Sequence, residues 1–163
     1  QVLLAGALSA AIGGCAAPQG DFTARQGAAF AGTKPAAAFS AGEALASVNA
    51  YRRSYGLPPV RLDAAATSAA RAQSLAMARQ GVMSHSAGGD FRTRLSAHGV
   101  GRAPAVENIA WGQRSFQEAM SSWQGSSTHA ANMQAADMTR LGVAVVNTTN
   151  GAYWTLVMAG KAR

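Results

Sequence analysis

Two histidines and one glutamate are the residues of this chain whose types and spacing could support chemistry together. His85 follows the end of a predicted helix, Glu107 opens the segment Glu107-Asn108-Ile109-Ala110, and His129 belongs to a short predicted turn of helix. All three are expected at or near the ends of structural elements, where side chains can converge on a cleft. Two imidazoles and one carboxylate could hold Zn²⁺ with an open coordination position, or form a proton-transfer cluster in which the carboxylate orients an imidazolium.

Other chemical motifs are absent from the sequence. It has no His-Glu-x-x-His pair that would place two metal ligands on one helix face, no nucleophile elbow and no glycine-rich phosphate loop. The third histidine, His98, lies at the predicted end of a short helix, where the helix dipole accounts for it. Three interpretations of His85, Glu107 and His129 remain open. They could form a noncatalytic binding site, a Zn-assisted hydrolase with Glu107 as ligand or general base, or a structural contact that fastens two loops.

Hydrophobic periodicity predicts the helices that must position these residues. The first spans about 43–55 and is ended by Gly56-Leu57-Pro58-Pro59. Asp63 can cap a second helix that stops at Gly81, just before His85. A short third helix is predicted over 90–97.

The second half of the chain changes its period. Ser115-Phe116-Gln117-Glu118 is a capping box that begins a fourth helix, and Gly125 ends it. Apolar alternation over 141–146, a turn over 147–151 and a second apolar run over 153–158 then predict a C-terminal hairpin. Several helices followed by strands, without strand-helix alternation, indicate an α+β domain with an antiparallel sheet.

Composition limits the number of domains and the class of partner. The chain has 163 residues, 48% of them hydrophobic, which is enough for one domain with a core. The net charge is +7, but the twelve arginines are scattered and no aromatic-basic motif accompanies them. No nucleic-acid partner is therefore expected.

The N-terminal residues predict export and a lipid anchor. Residues 1–14 form an apolar stretch that is too short to span a bilayer and is typical of a partial lipoprotein signal peptide. Their last residues together with the following cysteine, Ile12-Gly13-Gly14-Cys15, resemble a bacterial lipobox, so the membrane is the predicted partner through a lipid on Cys15. Residues 15–40 are interpreted as a linker and 41–163 as the folded domain. The expected location is the cell envelope, periplasmic or at the cell surface.

An ordered set of short motifs resembles the bacterial CAP superfamily, which groups cysteine-rich secretory, antigen 5 and pathogenesis-related proteins. The resemblance covers about residues 43–160. It is carried by Tyr51-Arg52, Gly56-Leu57-Pro58-Pro59, Leu62-Asp63, Ser84-His85, Glu107-Asn108-Ile109-Ala110, Trp123, His129-x-x-Asn132, Leu141-Gly142-Val143-Ala144 and Tyr153-Trp154-Thr155.

The resemblance implies a three-layer α-β-α sandwich with a central, mainly antiparallel sheet and a His/Glu cleft. It maps His85, Glu107 and His129 onto that cleft, with Tyr153 where many eukaryotic members have a further histidine. The family's second glutamate has no evident counterpart, since Glu118 belongs to the capping box. The resemblance implies binding of an extracellular lipid or other small ligand rather than catalysis. Zn²⁺ is the possible cofactor of the hydrolase alternative, which rests on the types of the three residues.

Two residue types near the cluster have structural interpretations. Asn108 is expected to tie down a loop through backbone hydrogen bonds, with direct ligand contact in the cleft as the alternative. Trp111, Trp123 and Trp154 are interpreted as core rather than as a ligand platform.

Overall fold

The computed structural model describes residues 39–161, which contain five helices and four strands. In chain order these are α1 (Ala41–Ser54), β1 (Arg61–Leu62), α2 (Ala64–Gln80), α3 (Phe91–Ala97), β2 (Ala105–Trp111), α4 (Phe116–Gln124), α5 (Ser127–Gln134), β3 (Arg140–Thr148) and β4 (Gly151–Ala159). None of the helices within residues 39–161 is long and apolar enough to cross a membrane.

The four strands form one mixed sheet in the order β1-β3-β4-β2. The β3–β4 hairpin is antiparallel with Thr148 opposite Gly151, and β2 runs antiparallel to β4 with Glu107 opposite Val157. Only the two-residue β1 is parallel to its neighbour. The predicted α+β class with a mainly antiparallel sheet is confirmed, and β2 is an edge strand of that sheet.

Helices cover both faces of the sheet and make three layers. On β4, Val157 and Ala159 face the core under α2 and α3, whereas Trp154, Leu156 and Met158 face the core under α1, α4 and α5. Successive strand residues point to opposite faces, so a strand buried on both sides is apolar throughout. This explains the continuous apolar run at the C-terminus.

Local capping signals set the helix ends. The Asp63 carboxylate accepts from the Ala66 amide at 2.8 Å, and Gly81 ends α2 with a left-handed φ of 64°. The hydroxyl of Ser115 accepts from the Glu118 amide at 3.2 Å and starts α4. The first helix begins at Ala41, two residues before its predicted start, because the Ser40 side chain caps it.

A buried arginine ties α1 to the segment between α5 and β3. Arg52 is fully buried, and its guanidinium donates to the carbonyls of Pro58, Met133, Ala135 and Met138 at 2.8–3.4 Å. Burial lowers the pKa of Arg52 below its ordinary value. One side chain thus bonds to four carbonyls, of which those of Met133 and Met138 lie in the interior and would otherwise lack this donor.

The sequence pattern does not predict β2, and this changes the interpretation of Glu107. Glu107 is the third of the seven residues of this strand, so it lies inside an element rather than at an end. Polar Glu107 and Asn108 interrupt the apolar run, and both strand faces are covered, so neither alternation nor a hydrophobic stretch is visible.

The predicted signal peptide at 1–14, the lipidation site at Cys15 and most of the 15–40 linker lie outside the described residues. Helix α1 begins at Ala41 and is capped by Ser40, the last residue of the predicted linker, and the predicted bounds of the domain stay a prediction.

Candidate functional site

Glu107 is the centre of the candidate site. Its side chain is only 3% exposed and lies on the face of β2 that is turned toward α2 and α3. Oε1 accepts from Nδ1 of His85 at 2.9 Å, and Oε2 accepts from Nη2 of Arg94 at 2.5 Å. Both oxygens of the carboxylate are therefore engaged by side chains.

Arg94 is the residue of this site that sequence reasoning did not identify. It lies in α3, its side chain is 2% exposed, and Nη1 also donates to the Gly89 carbonyl at 3.2 Å. Two opposite charges buried in contact offset each other's desolvation, whereas either one alone would be strongly unfavourable. The pair therefore holds the Glu107 carboxylate in one orientation.

His85 is the exposed end of this chain of contacts. Its side chain is 56% exposed, although Nδ1 faces the buried carboxylate. A carboxylate only accepts hydrogen bonds, so Nδ1 carries the proton in this contact. Nε2, across the ring, has no protein partner within residues 39–161 and can meet a ligand.

A buried glutamine shapes the loop that carries His85. Gln73 of α2 is fully buried, donates from Nε2 to the Ser84 carbonyl at 2.6 Å and accepts from the Gly88 amide at 3.0 Å. A Cβ on Gly88 would stand 2.6 Å from the Gln73 amide oxygen and 3.2 Å from Arg94. A larger residue at position 88 would therefore have to displace one or both of these side chains.

Two asparagines attach His129 to the other side of the same strand. The fully buried Asn108 donates to the His129 carbonyl at 3.0 Å, and Asn132 donates to the Asn108 side chain at 2.9 Å. Asn132 also donates to the Glu107 carbonyl at 3.2 Å. Asn108 therefore fastens the first turn of α5 to β2, as the loop-tying interpretation expects.

The structure brings the two imidazoles into electrostatic reach of each other. Partial burial lowers the pKa of His129 below its ordinary value, and the neighbouring His85 lowers it further. His129 is consequently biased toward its neutral form, which both donates and accepts hydrogen bonds.

Tyr153 and Trp111 lie further along the sheet. Tyr153 is buried with Met77 and Ile109, and its ring centroid is 6.3 Å from that of Trp111. Its predicted role in ligand binding stays a prediction. Trp123 and Trp154 are core residues as expected, but Trp111 is 47% exposed, so the core interpretation is wrong for Trp111. Its position near the end of an edge strand leaves half of the ring without packing partners.

The donor arrangement does not fit the predicted three-ligand Zn²⁺ site. Within residues 39–161 no three His, Cys, Asp or Glu side chains are grouped so that they could hold a metal ion. Glu107 uses both oxygens on Arg94 and His85, and the adjacent guanidinium would repel a divalent cation. His85 and His129 alone fall short of the three protein ligands typical of catalytic zinc.

Comparison with known proteins decides the family. Residues 45–158 match the CAP family, which is described as the cysteine-rich secretory protein family. The chain belongs to this family. The uncharacterized protein YkwD of Bacillus subtilis (strain 168) is 32% identical over 116 residues, which are 69% of this CAP chain and 44% of that protein.

Solved structures agree with the CAP fold. An extracellular protein containing an SCP domain from Bacillus anthracis superposes with a TM-score of 0.68 at 26% identity, covering 74% of this chain and 40% of that one. An outer surface protein from Borrelia burgdorferi superposes with a TM-score of 0.67 at 15% identity, covering 74% of this chain and 91% of that one. The CAP chain thus spans less than half the length of the two Bacillus proteins.

Proposed function

We propose that this chain is an exported binding protein whose His85 and His129 face takes up a small extracellular ligand with a polar head and an apolar body, such as a lipid. The observation that supports this most is the arrangement of His85. An exposed imidazole is oriented from behind by a buried carboxylate and guanidinium, so its free nitrogen is presented in a fixed direction. Preorganised polar groups of this kind supply the orientation of a bound ligand.

The neighbours of His85 suit an amphipathic ligand. Val82 and Met83, in the same loop, are both exposed apolar side chains. Methionine adapts its shape to irregular apolar partners, which is typical of binding surfaces that accept lipid chains. A polar head at the two imidazoles would place an attached apolar body against these residues.

Ligand binding by histidine variants tests the proposal. Labelled palmitic acid and cholesterol would be titrated against the full chain and against His85→Ala and His129→Ala. His98→Ala is the matched control, because His98 bonds to Ser68 at the end of α3 and contacts neither Glu107 nor His85. Loss of one hydrogen bond to a polar head should weaken binding by about tenfold.

Three results would contradict this function. The first is that neither probe binds at any reasonable concentration, and the second is that His98→Ala weakens binding as much as His85→Ala does. The third is that the site variants lower the melting temperature without changing binding. The last result would favour the purely structural interpretation of the cluster.

Export and anchoring belong to the same proposal. The apolar residues 1–14 and the segment Ile12-Gly13-Gly14-Cys15 support a lipoprotein signal, and two of the structural neighbours are titled an extracellular protein and an outer surface protein. Multiple acyl chains on Cys15 would hold the chain firmly at a membrane. Mass spectrometry of the N-terminal peptide should reveal the acyl groups, and Cys15→Ser should release the protein from the membrane fraction. An unmodified Cys15 in membrane-bound protein would refute the anchor.

The Zn-assisted hydrolase is the competing interpretation, and it has a separate test. It requires stoichiometric zinc in protein purified without chelators, lost in His85→Ala. The engagement of Glu107 by Arg94 favours the opposite result, in which the zinc content of the wild type and the variant is equally low. Stoichiometric zinc that depends on His85 would restore the hydrolase as the better candidate.

A further inference from the structure

Trp111 differs from the other two tryptophans in both burial and bonding. Trp123 and Trp154 are buried, and their indole N–H groups donate to the carbonyls of Ile109 and Gln113 at 3.0 and 2.9 Å. Trp111 is nearly half exposed, and within residues 39–161 its indole N–H has no acceptor. Nearly half of a large aromatic side chain is therefore offered to solvent at the end of β2.

A polar pocket begins at the next residue. It is a shallow depression, open to solvent, with a volume of about 470 Å³. Its walls contain one glycine and otherwise only amide, carboxylate and hydroxyl side chains: Gly112, Gln113, Gln117, Glu118, Ser121 and Ser122.

Gly151 places the indole beside this pocket. A Cβ at Gly151 would stand 3.3 Å from the Trp111 indole nitrogen and 3.3 Å from the Cα of Gly112, which is part of the pocket wall. The indole nitrogen and the Gly112 Cα thus both border the small space next to Gly151. The backbone of Gly151 has a φ of 130°, so a side chain there would be strained as well as obstructive.

The hydrogen-bonding groups of the pocket are only partly used inside the protein. Gln113 donates from Nε2 to the Ser122 hydroxyl at 3.3 Å, but its Oε1 is buried without a partner in the described part of the chain. Glu118 accepts from the Arg114 amide through Oε2 alone. The exposed Glu118 therefore retains acceptor capacity for a ligand that brings hydroxyl donors, whereas the Gln113 Oε1 is covered by the protein itself.

We infer that Trp111 and this pocket together form a binding site for a neutral saccharide. The site is distinct from the His85 and His129 face. The pocket wall has no lysine, arginine or histidine to neutralise a phosphate, and no aliphatic side chain to hold a lipid tail. An aromatic face beside amides and hydroxyls matches a sugar ring, whose C–H face stacks while its hydroxyls bond to the wall.

Fluorescence quenching tests the saccharide site directly. Acrylamide should quench exposed Trp111 much more than the two buried tryptophans. The full chain would be titrated with cellobiose, maltose and N,N′-diacetylchitobiose up to about 50 mM, beyond the millimolar affinities of weak ligands. At least one of these sugars should protect the quenchable fraction in a saturable way, while inorganic phosphate should not.

Variants identify the residues responsible. Trp111→Ala should abolish sugar binding measured by saturation-transfer NMR, and Gln113→Ala should weaken it severalfold. Tyr55→Ala, which removes an aromatic side chain that is 55% exposed on another surface, should leave it unchanged. Circular dichroism would establish that the variants fold. Absence of binding by all three sugars, unchanged binding in Trp111→Ala, or protection by phosphate instead of sugar would overturn the inference. The His85 variants do not touch this pocket, so the two proposals can fail independently.

Discussion

Replacing Arg94 by methionine removes the guanidinium that accompanies the buried Glu107 carboxylate. The two side chains are 2% and 3% exposed and are joined at 2.5 Å. Removing one partner of such a pair leaves an uncompensated buried charge, which costs about 3–5 kcal/mol. Methionine has a similar length and is apolar, so the loss of packing volume is small. The variant should therefore lose a large part of the roughly 5–15 kcal/mol that stabilises a domain.

Urea denaturation followed by circular dichroism would measure this loss of unfolding free energy, and heating followed by the same signal would measure the melting temperature. At roughly 4 °C per kcal/mol for a domain of this size, the melting temperature should fall by about 12–20 °C. Arg79→Met is the matched control, since Arg79 is an exposed residue in the last turn of α2. Its change should stay within about 0.5 kcal/mol, as is usual for surface substitutions.

A double-mutant cycle separates the ion pair from other effects. Glu107→Leu alone leaves Arg94 as the unpaired buried charge and should also be strongly destabilising. Arg94→Met/Glu107→Leu replaces both charges by apolar groups. Its loss of unfolding free energy should therefore be smaller than the sum of the two single losses, by about 2 kcal/mol or more. Additive losses, or a cost below about 1 kcal/mol for Arg94→Met, would refute the view that this pair is buried and mutually compensating.

Three further changes test other parts of the structure. The pKa of His129 is lower in the folded chain, so the unfolded chain binds more protons as pH falls through the ordinary histidine range, and stability should decrease with acidification through about pH 6.5. His129→Gln should flatten this dependence of the melting temperature on pH. An unchanged dependence would contradict the lowered pKa of His129. Gly142→Ala places a Cβ against the backbone of α2 and should cost about 3 kcal/mol in urea denaturation, whereas Gly42→Ala, in the exposed first turn of α1, should be neutral or slightly stabilising. Arg52→Met should cost about 3 kcal/mol or more, because four carbonyls, two of them buried, lose their donor. A loss no larger than that of Arg53→Met, at an exposed site on the same helix, would show that those bonds do not contribute.

The helices and the hairpin could be predicted from the sequence because their signals are local. Asp63, Gly81 and Ser115 act on backbone groups within four residues of themselves, so capping is visible in the sequence alone. The hairpin is likewise indicated by alternation on both sides of a short turn. The family assignment rests on motifs whose order along the chain carries the information.

The contacts of the site could not be predicted in the same way. His85, Glu107 and His129 were identifiable by residue type, but β2 has no periodic signal, and nothing near Arg94 in the sequence indicates its pairing with Glu107. That pair forms because α3 packs on the face of the sheet to which Glu107 points, a nonlocal consequence of strand order. The sequence by itself determined which groups were available and where helices begin and end. Tertiary structure decided that the carboxylate is occupied by a guanidinium, which leaves His85, rather than Glu107, as the exposed group of the cluster. The physical reason is that a buried charge must find its partner in space, whatever the distance along the chain.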